Sequence, residues 1–163
     1  MPHCSLIVLV GPPGSGKSEW AKHNAQGAVV ISQDDLIDAI TPQGFDHAFR
    51  PVYTAAEDAI AREALSLGFT VIVDRTNRTR RHRERWVAIA REFNCPVFAV
   101  VIGVDADLCR ERNRSRTDHR RVSDLRMERM IAAIEPVTAD EGFTGIKHIQ
   151  TTEEAYEYCN QAR

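Results

Sequence analysis

Short apolar runs and amphipathic stretches alternate along the chain. Five of the runs are continuously apolar rather than strictly alternating, which is typical of strands buried on both faces of a parallel sheet. The predicted strands cover residues 5–10 (SLIVLV), 28–32 (AVVIS), 69–74 (FTVIVD), 96–103 (PVFAVVIG) and 145–149 (GIKHI). The pattern therefore predicts a parallel sheet of about five strands.

Helical patterns fill the segments between these strands. Thr79 is placed to cap a helix over about 80–93, in which Trp86, Ile89 and Phe93 share one face. A further helix starts after Asp105, and the others cover residues 16–24, 34–40, 52–67, 122–136 and 152–161, with a Gly- and Pro-containing loop over 41–51. This alternation predicts one doubly wound α/β domain over residues 1–163, with ligands at the carboxyl ends of the strands.

The composition is that of a globular domain, since 43% of the 163 residues are hydrophobic and 27% are charged. No apolar run approaches the roughly 20 residues of a membrane span, and the first residues lack the charged start of a signal peptide. We therefore expect a cytoplasmic protein with no membrane partner. Cys4, Cys95, Cys109 and Cys159 form no C-x-x-C pair, which predicts free thiols, and the histidines show no metal-ligand spacing.

The net charge of −2 conceals a strong asymmetry. Twelve of the arginines fall in two windows, 75–85 (RTNRTRRHRER) and 110–121 (RERNRSRTDHRR), which together contain three acids. Such a separation of charge predicts a basic face that concentrates an anionic ligand. The alternative is that many of these arginines lie on solvated helix faces.

The segment GPPGSGKS, Gly11–Ser18, matches the phosphate-loop motif G-x-x-x-x-G-K-[ST] between a predicted strand and a predicted helix. Its predicted nucleotide-binding residues are Gly11, Pro12, Pro13, Gly14, Ser15, Gly16, Lys17 and Ser18. The glycines let backbone amides turn towards a phosphate, the lysine adds a positive charge, and the serine hydroxyl can bind Mg²⁺. The motif therefore predicts ATP, or another nucleoside triphosphate, with Mg²⁺ as cofactors.

Carboxylates follow two of the predicted strands. Asp74 ends the third strand, where P-loop proteins often hold Mg²⁺, although a capping role fits it too. Asp34 and Asp35 follow the second strand, and a phosphoryl acceptor with a hydroxyl group needs a carboxylate base. Asp34 is the better placed, whereas Asp35 is expected to point elsewhere; a helix N-cap explains Asp34 equally well at this stage.

Four segments together resemble the P-loop 5′-hydroxyl polynucleotide kinases, above all the kinase domain of bacterial end-healing enzymes and, more distantly, the phage T4-type kinase. They are GPPGSGKS, SQDDLIDAI, VIVDRTNR and RERNRSRTD, and the similarity covers roughly residues 5–150. The resemblance implies that Asp34 is the general base and that Lys17 and Ser18 hold phosphate and Mg²⁺. It also implies that Arg112 and Arg116 are lid arginines closing over the ATP phosphates, in a lid of about 110–121.

Two positions depart from that family. Ile37 stands where the family carries an arginine for an acceptor phosphate, and His119 replaces another basic lid position. The acceptor is then expected to be held by other residues after the third strand, namely Arg75, Asn77, Arg78 and Arg81. Arg112 and Arg116 are four residues apart and are expected on one helical face, with Arg110, Arg114, Arg120 and Arg121 turned to solvent or to an acceptor backbone.

The sequence therefore predicts a kinase whose partner is a nucleic acid, DNA or RNA with a 5′-hydroxyl end. Two alternatives stay open: a kinase of hydroxymethylated pyrimidines in DNA, and a small-molecule or nucleotide phosphotransferase, including a toxin-like one. A non-catalytic nucleotide switch would not need Asp34. The sequence gives no indication of the oligomeric state.

Overall fold

Five parallel strands form the sheet at the centre of the computed structural model, which describes residues 4–150. The strands are β1 (Ser5–Val10), β2 (Ala28–Ser32), β3 (Thr70–Asp74), β4 (Val97–Ile102) and β5 (Gly145–Ile149). Their order in the sheet is β2-β3-β1-β4-β5, and every neighbouring pair is parallel. The predicted strands and the doubly wound α/β fold are confirmed.

Six α-helices join these strands within residues 4–150: α1 (Lys17–Asn24), α2 (Gln33–Ile40), α3 (Arg50–Ser66), α4 (Arg80–Glu92), α5 (Ala106–Ser115) and α6 (Asp124–Ala132). The hydroxyl of Thr79 caps α4, and the carboxylate of Asp105 caps α5, both as predicted. The helix predicted over 122–136 covers only Asp124–Ala132, and Pro136, at the end of the predicted range, disfavours a helical continuation. The helix predicted over 152–161 lies outside the described residues.

The two faces of the sheet are covered by different helices. Leu6, Val8 and Val10 of β1 pack in one apolar cluster with Trp86 of α4, together with residues of α3. Leu9, on the opposite face of the same strand, packs in a second cluster with Trp20, Met127 and other residues of α1, α5 and α6. This alternation along one strand follows from the two-residue period of side chains in a β-strand.

Two of the cysteines are not free thiols as predicted, because Cys4 and Cys95 form a disulfide. Their pairing follows from the sheet: β1 and β4 are parallel neighbours, and the amide of Leu6 donates to the carbonyl of Pro96 at 3.0 Å. The Cα atoms of the two cysteines therefore lie 5.6 Å apart, although 91 residues separate them in sequence. Cys109 is free and buried, as predicted, whereas Cys159 lies outside the described residues.

The disulfide removes the argument that the cysteines made for a reducing compartment. Within residues 4–150, none of the helices has the length and apolar character that crossing a bilayer requires. The cytoplasmic location stays a prediction.

The carboxyl ends of β1, β2 and β3 bring three segments of the sequence to one edge of the sheet. The phosphate loop follows β1, Asp34 follows β2, and Asp74 ends β3. Ser32, the last residue of β2, is in register with Asp74. The fold thereby places the phosphate loop, Asp34 and Asp74 around a single cleft, as expected for an open α/β sheet.

Candidate active site

The loop Gly11–Ser18 joins β1 to α1 with a backbone that glycine permits. Gly14 has a φ of +79°, and a Cβ atom there would lie 2.7 Å from the carbonyl oxygen of Cys109 in α5. Gly16 has a φ of +97° and caps the amino end of α1. Since other residues rarely adopt these conformations, the glycines are needed for the loop to leave its amides and the positive end of α1 free for a phosphate.

Lys17 is a buried cation at the base of this loop. Its side chain is 8% exposed, and its Nζ donates to the carbonyl of Pro12 at 2.7 Å and to the Ser15 hydroxyl at 3.4 Å. Burial lowers the pKa of Lys17 to about 8, against the charge of Asp74, which raises it. The ammonium group is thus desolvated in advance, which makes an incoming phosphate a strongly favoured partner.

Ser18 and Asp74 form an oxygen-rich pair that fits Mg²⁺. Burial raises the pKa of the Asp74 carboxyl group, while a hydrogen bond from the Ser18 hydroxyl and the charge of Lys17 oppose that rise. Magnesium binds through one or two protein oxygens, with phosphate and water completing its shell. No cluster of three or more His, Cys, Asp or Glu side chains within residues 4–150 offers a metal cage, and a P-loop site does not require one.

Asp34 and Asp35 both lie at the start of α2, but their surroundings differ. Ser32 caps the helix by accepting a hydrogen bond from the amide of Asp35, so Asp34 is not the N-cap. Asp34 is exposed, its charge acts on both Lys17 and Asp74, and its carboxylate accepts no hydrogen bond from a side chain in residues 4–150. A carboxylate that is exposed, accepts no side-chain hydrogen bond and lies beside the phosphate loop has the properties needed to accept a proton from a bound hydroxyl group.

Asp35 does not point away from the cleft, as the sequence had suggested. It lines a cavity of about 410 Å³ together with Ser18, Asp74 and Arg120. Its Oδ1 accepts a hydrogen bond from Nη2 of Arg120 at 2.8 Å. Asp35 is therefore already engaged with the lid segment, residues 110–121.

The two lid arginines reach the phosphate loop by different routes. Arg112 donates from Nη1 to the carbonyl of Gly14 at 3.2 Å, and the charge of Arg116 acts on Lys17. They do not share a helical face, because α5 ends at Ser115 and Arg116 has extended backbone with ψ of 132°. The prediction of one shared face is wrong, although both residues lie at the nucleotide end of the cleft.

The remaining lid arginines divide into surface and cleft residues. Arg110 pairs with Asp107 and Glu128, and Arg114 lies 3.6 Å from Asp124, as expected of a solvated helix face. Arg120 instead crosses to α2, where its Nη2 contacts both Asp35 and Asp38. His119 also reaches α2, with its Nε2 at 2.8 Å from Oδ1 of Asp38.

Most arginines of the window 75–85 are used inside the protein. Arg83 is fully buried and forms a two-pronged ion pair with Glu141 at 2.7 Å. Arg75 and Arg85 share the buried carboxylate of Glu57, at 2.8 Å and 3.0 Å. Other acids neutralise most of this basic window, so its charge is not mainly a nucleic-acid surface.

The arginines predicted to bind the acceptor differ in whether an acidic side chain of the protein already pairs with them. Arg75 is engaged by Glu57, while Arg78 and Arg81 form no ion pair with any residue in 4–150. The first-turn arginine Arg80, which opposes the dipole of α4, pairs with Asp140 at 2.7 Å. The arginines that stay available to an external phosphate are therefore Arg78 and Arg81.

Asn77 holds the phosphate loop rather than facing an acceptor. Its amide nitrogen donates to the carbonyl of Leu9 at 2.8 Å, and its Oδ1 accepts from Nε1 of Trp86 at 3.1 Å. The neighbouring Thr76 carbonyl accepts from the amide of Gly11 at 3.2 Å. With Asn77 at 2% exposure, a structural role at the end of β1 replaces its predicted contact with substrate.

Ile37 of α2 and Glu57 of α3 are two further residues that bear on the site. The side chain of Ile37 is apolar and buried, so it offers no group to an acceptor phosphate. Glu57 was missed, although it sits between Tyr53 and Ala61 on the buried stripe of α3 at four-residue spacing. A carboxylate on an apolar stripe was the available signal that buried cations lie nearby.

The fold and the phosphate loop define a P-loop kinase. A family profile described as AAA domain matches residues 6–137, which is most of the chain, and the protein belongs to that family.

Two curated relatives resemble the sequence of this chain. A bifunctional polynucleotide phosphatase/kinase of Schizosaccharomyces pombe is 27% identical over 152 residues, covering 90% of this chain and 34% of the relative. A protein named as a bifunctional polynucleotide kinase/RNA ligase of Autographa californica nuclear polyhedrosis virus is 28% identical over 127 residues, covering 69% of this chain and 18% of the relative. The chain thus spans 34% and 18% of the length of these two relatives, and the resemblance to polynucleotide kinases is confirmed.

Solved structures confirm the fold without deciding the acceptor. A structure of the Pnkp1/Rnl/Hen1 RNA repair complex matches with a TM-score of 0.71 at 21% identity, over 82% of this chain and 45% of the other. The APS kinase CysC of Mycobacterium tuberculosis, in complex with AMPPNP and APS, matches with a TM-score of 0.69 at 17% identity, over 99% and 96%. A protein of an RNA repair complex and an APS kinase therefore share this architecture.

Proposed function

We propose that this protein transfers the γ-phosphate of ATP to the 5′-hydroxyl end of a DNA or RNA strand. The observation that carries the proposal is the uncommitted carboxylate of Asp34, whose charge reaches both the phosphate-loop lysine and Asp74. The similarity in sequence to proteins named polynucleotide kinases supports a nucleic acid as the acceptor.

The reaction uses groups of the chain at each end of the transferred phosphoryl group. Asp34 accepts the proton of the attacking hydroxyl as the new P–O bond forms and the bond to the β-phosphate oxygen breaks, releasing ADP. Lys17, Arg112 and Arg116 neutralise charge on the phosphoryl oxygens. Ser18 and Asp74 would hold Mg²⁺, which supplies further neutralisation of the β- and γ-phosphates.

The family's arginine for an acceptor phosphate is replaced by Ile37 in this chain. Arg78 and Arg81 are the cations proposed to bind that phosphate instead. Neither has an ion-pair partner in residues 4–150, and Arg78 lies just past the end of β3, at the mouth of the cleft. A phosphate of the acceptor strand would offer them charge-assisted hydrogen bonds. Their replacement by alanine should raise the KM for the acceptor and leave the KM for ATP unchanged.

The proposal is tested with ATP labelled at the γ-phosphate and a panel of acceptors. The panel holds one oligonucleotide as 5′-hydroxyl DNA, as 5′-hydroxyl RNA, as 5′-phosphorylated DNA and as hydroxymethylpyrimidine DNA blocked at its 5′ end, together with sugars and nucleotides. We expect label in the 5′-hydroxyl strands and none in the 5′-phosphorylated control. Label confined to the small molecules, or to the blocked modified DNA, would show that the acceptor belongs to one of the two alternative classes.

A further inference from the structure

Exposed apolar side chains cluster in the loop between α2 and the first turn of α3. Phe45, Phe49 and Val52 are 38%, 42% and 48% exposed. No other stretch of eight residues within 4–150 exposes three large hydrophobic side chains. A local group of this kind indicates a contact surface for a ligand, because single exposed apolar residues are ordinary but clustered ones are not.

The aromatic rings of this loop are held in place. The ring of Phe45 lies 4.9 Å from that of His47 and 5.6 Å from that of Tyr53. The guanidinium carbon of Arg50 lies 5.7 Å from the centre of the same ring. Tyr53 is 2% exposed, and its hydroxyl accepts from the amide of Asp46 at 3.3 Å. A flat ligand would therefore meet a Phe45 ring that is already ordered, which reduces the entropy lost on binding.

Arg50, at the end of this loop, is a cation without an acidic partner in the described part of the chain. Arg50 and Arg78 form no ion pair with a residue of the described part of the chain, in contrast to Arg75, which Glu57 neutralises. The charges of Arg50 and Arg78 also act on the same imidazole, that of His82, whose pKa is lowered first by burial and then by the neighbouring arginines. The loop therefore combines exposed rings with an unneutralised positive charge.

The position of the loop relative to Asp34 follows from α2. Asp34 is in the first turn of this helix, and Thr41 ends it and hydrogen-bonds to the hydroxyl of Tyr53. Seven residues of α-helix rise by about 10 Å. That span corresponds to roughly two or three stacked nucleotides at about 3.4 Å each.

We propose that Phe45, Phe49 and Arg50 form an aromatic platform that binds the single-stranded part of the acceptor. The inference rests on the function proposed above and adds where the strand lies: its third or fourth nucleotide from the reacting 5′ end stacks on the platform. Rings accept every base by stacking, and nearby arginines hold the backbone, which together bind single strands with little sequence preference. Base pairs inside a duplex do not offer such faces, so the platform selects single strands and overhangs.

The test compares acceptors of two lengths. The KM for a 5′-hydroxyl dinucleotide and for a strand of about 12 nucleotides is measured with the wild type and with the variants Phe49→Ala and Arg50→Gln. A matched control is Phe69→Ala, because Phe69 is 48% exposed and precedes β3, at the amino end of the sheet away from the cleft. Binding of the longer strand, labelled at its 3′ end, is followed in parallel by fluorescence anisotropy.

The platform variants should raise the KM and the Kd for the longer strand by about 5- to 100-fold. The platform variants should leave the KM for the dinucleotide within about twofold of the wild-type value. The control variant Phe69→Ala should leave the KM at both lengths within about twofold of the wild-type value. Equal KM increases at both lengths would overturn the proposal, because they would mean a disturbed active site. Unchanged KM and Kd values at both lengths would overturn the proposal as well. A change of oligomeric state without a change of KM would also overturn it, because the loop would then be a contact between copies of the chain.

Strand binding by the platform and phosphoryl transfer to the 5′-hydroxyl end can be disproved separately. If the wild type binds the longer strand through Phe49 and Arg50 but phosphorylates no nucleic acid, the platform stands and the assigned reaction is wrong. If the 5′ ends are phosphorylated and the platform variants behave as the wild type, the reaction stands and the platform is wrong.

Discussion

Lys17 shows how one buried side chain prepares the site for a nucleotide. Its ammonium group lies among the carbonyl and hydroxyl oxygens of its own loop, where burial holds its pKa at about 8. The phosphates of a nucleotide bring negative charge to this group and therefore raise its pKa in the complex. Binding should accordingly be coupled to a proton.

The pH dependence of ATP affinity follows from the expected rise in the pKa of Lys17 when ATP binds. Below pH 8 the lysine is already charged in the free protein, so affinity for ATP should be at its plateau. Above this pH each binding event must first protonate Lys17, so affinity should fall, by up to about tenfold per pH unit. Calorimetry at pH 8 in two buffers of different ionisation enthalpy should report an uptake of about 0.5 proton per ATP bound. The variant Lys17→Arg keeps its charge over this range and should abolish the uptake; an unchanged uptake in that variant would assign the proton to another group.

Arg83 and Arg81 are two residues of one basic window with opposite roles. Arg83 is fully buried against Glu141, whereas Arg81 is exposed and unpaired within residues 4–150. Removing one partner of a buried ion pair leaves an uncompensated charge, so Arg83→Ala should lower the free energy of unfolding by about 3–5 kcal/mol. Arg81→Ala should change it by less than about 0.5 kcal/mol.

Urea denaturation of the two variants measures this difference directly. Equal stability of both variants would mean that the buried pair of Arg83 and Glu141 contributes nothing to the stability of the fold.

At the scale of elements, the lid segment is tied to α2 rather than left in solvent. Arg120 contacts Asp35 and Asp38, and His119 contacts Asp38. The hydrogen bond from Arg120, followed by that from His119, lowers the pKa of the Asp38 carboxyl group, so the pairing is present at neutral pH. Because α2 also carries Asp34, the proposed lid segment is attached to the helix that carries the proposed base.

Loosening this attachment should affect the nucleotide side of the reaction. We expect Asp38→Asn to raise the KM for ATP by up to about fivefold and to speed proteolytic cleavage within residues 116–121, since exposed ion pairs contribute modest free energy. Asp107→Asn, which removes an exposed partner of Arg110 on α5, is the matched control. An effect of equal size in both variants would show that the contact to α2 has no special role.

The elements were largely predictable from local pattern, whereas their side-chain partners were not. Continuous apolar runs placed all five strands, and Thr79 and Asp105 marked helix starts correctly, because these signals are local. The partners of the arginines were beyond such reasoning, since Glu141 lies 58 residues from Arg83. The pairing of Cys4 with Cys95 and the crossing of Arg120 to α2 likewise depend on which strands and loops the fold makes neighbours.

For the molecule as a whole, a slightly acidic net charge is compatible with the anionic substrate proposed above. The net charge is −2, yet much of the positive charge is neutralised internally by residues such as Glu57 and Glu141. Among the cations without an ion-pair partner in residues 4–150, Arg78 lies just past β3 and Arg112 contacts the phosphate loop. The matched AAA domain profile includes that loop, and the proposed acceptor meets Asp34 of α2.

The most direct test is the single-turnover rate of transfer from γ-labelled ATP to a 5′-hydroxyl oligonucleotide, measured with the wild type and with Asp34→Asn. A positioned general base contributes about 10²- to 10⁴-fold, so the variant should lose that much rate while binding ATP as the wild type does. A full rate in Asp34→Asn, or the same loss in Asp35→Asn with Asp34→Asn unaffected, would contradict the account.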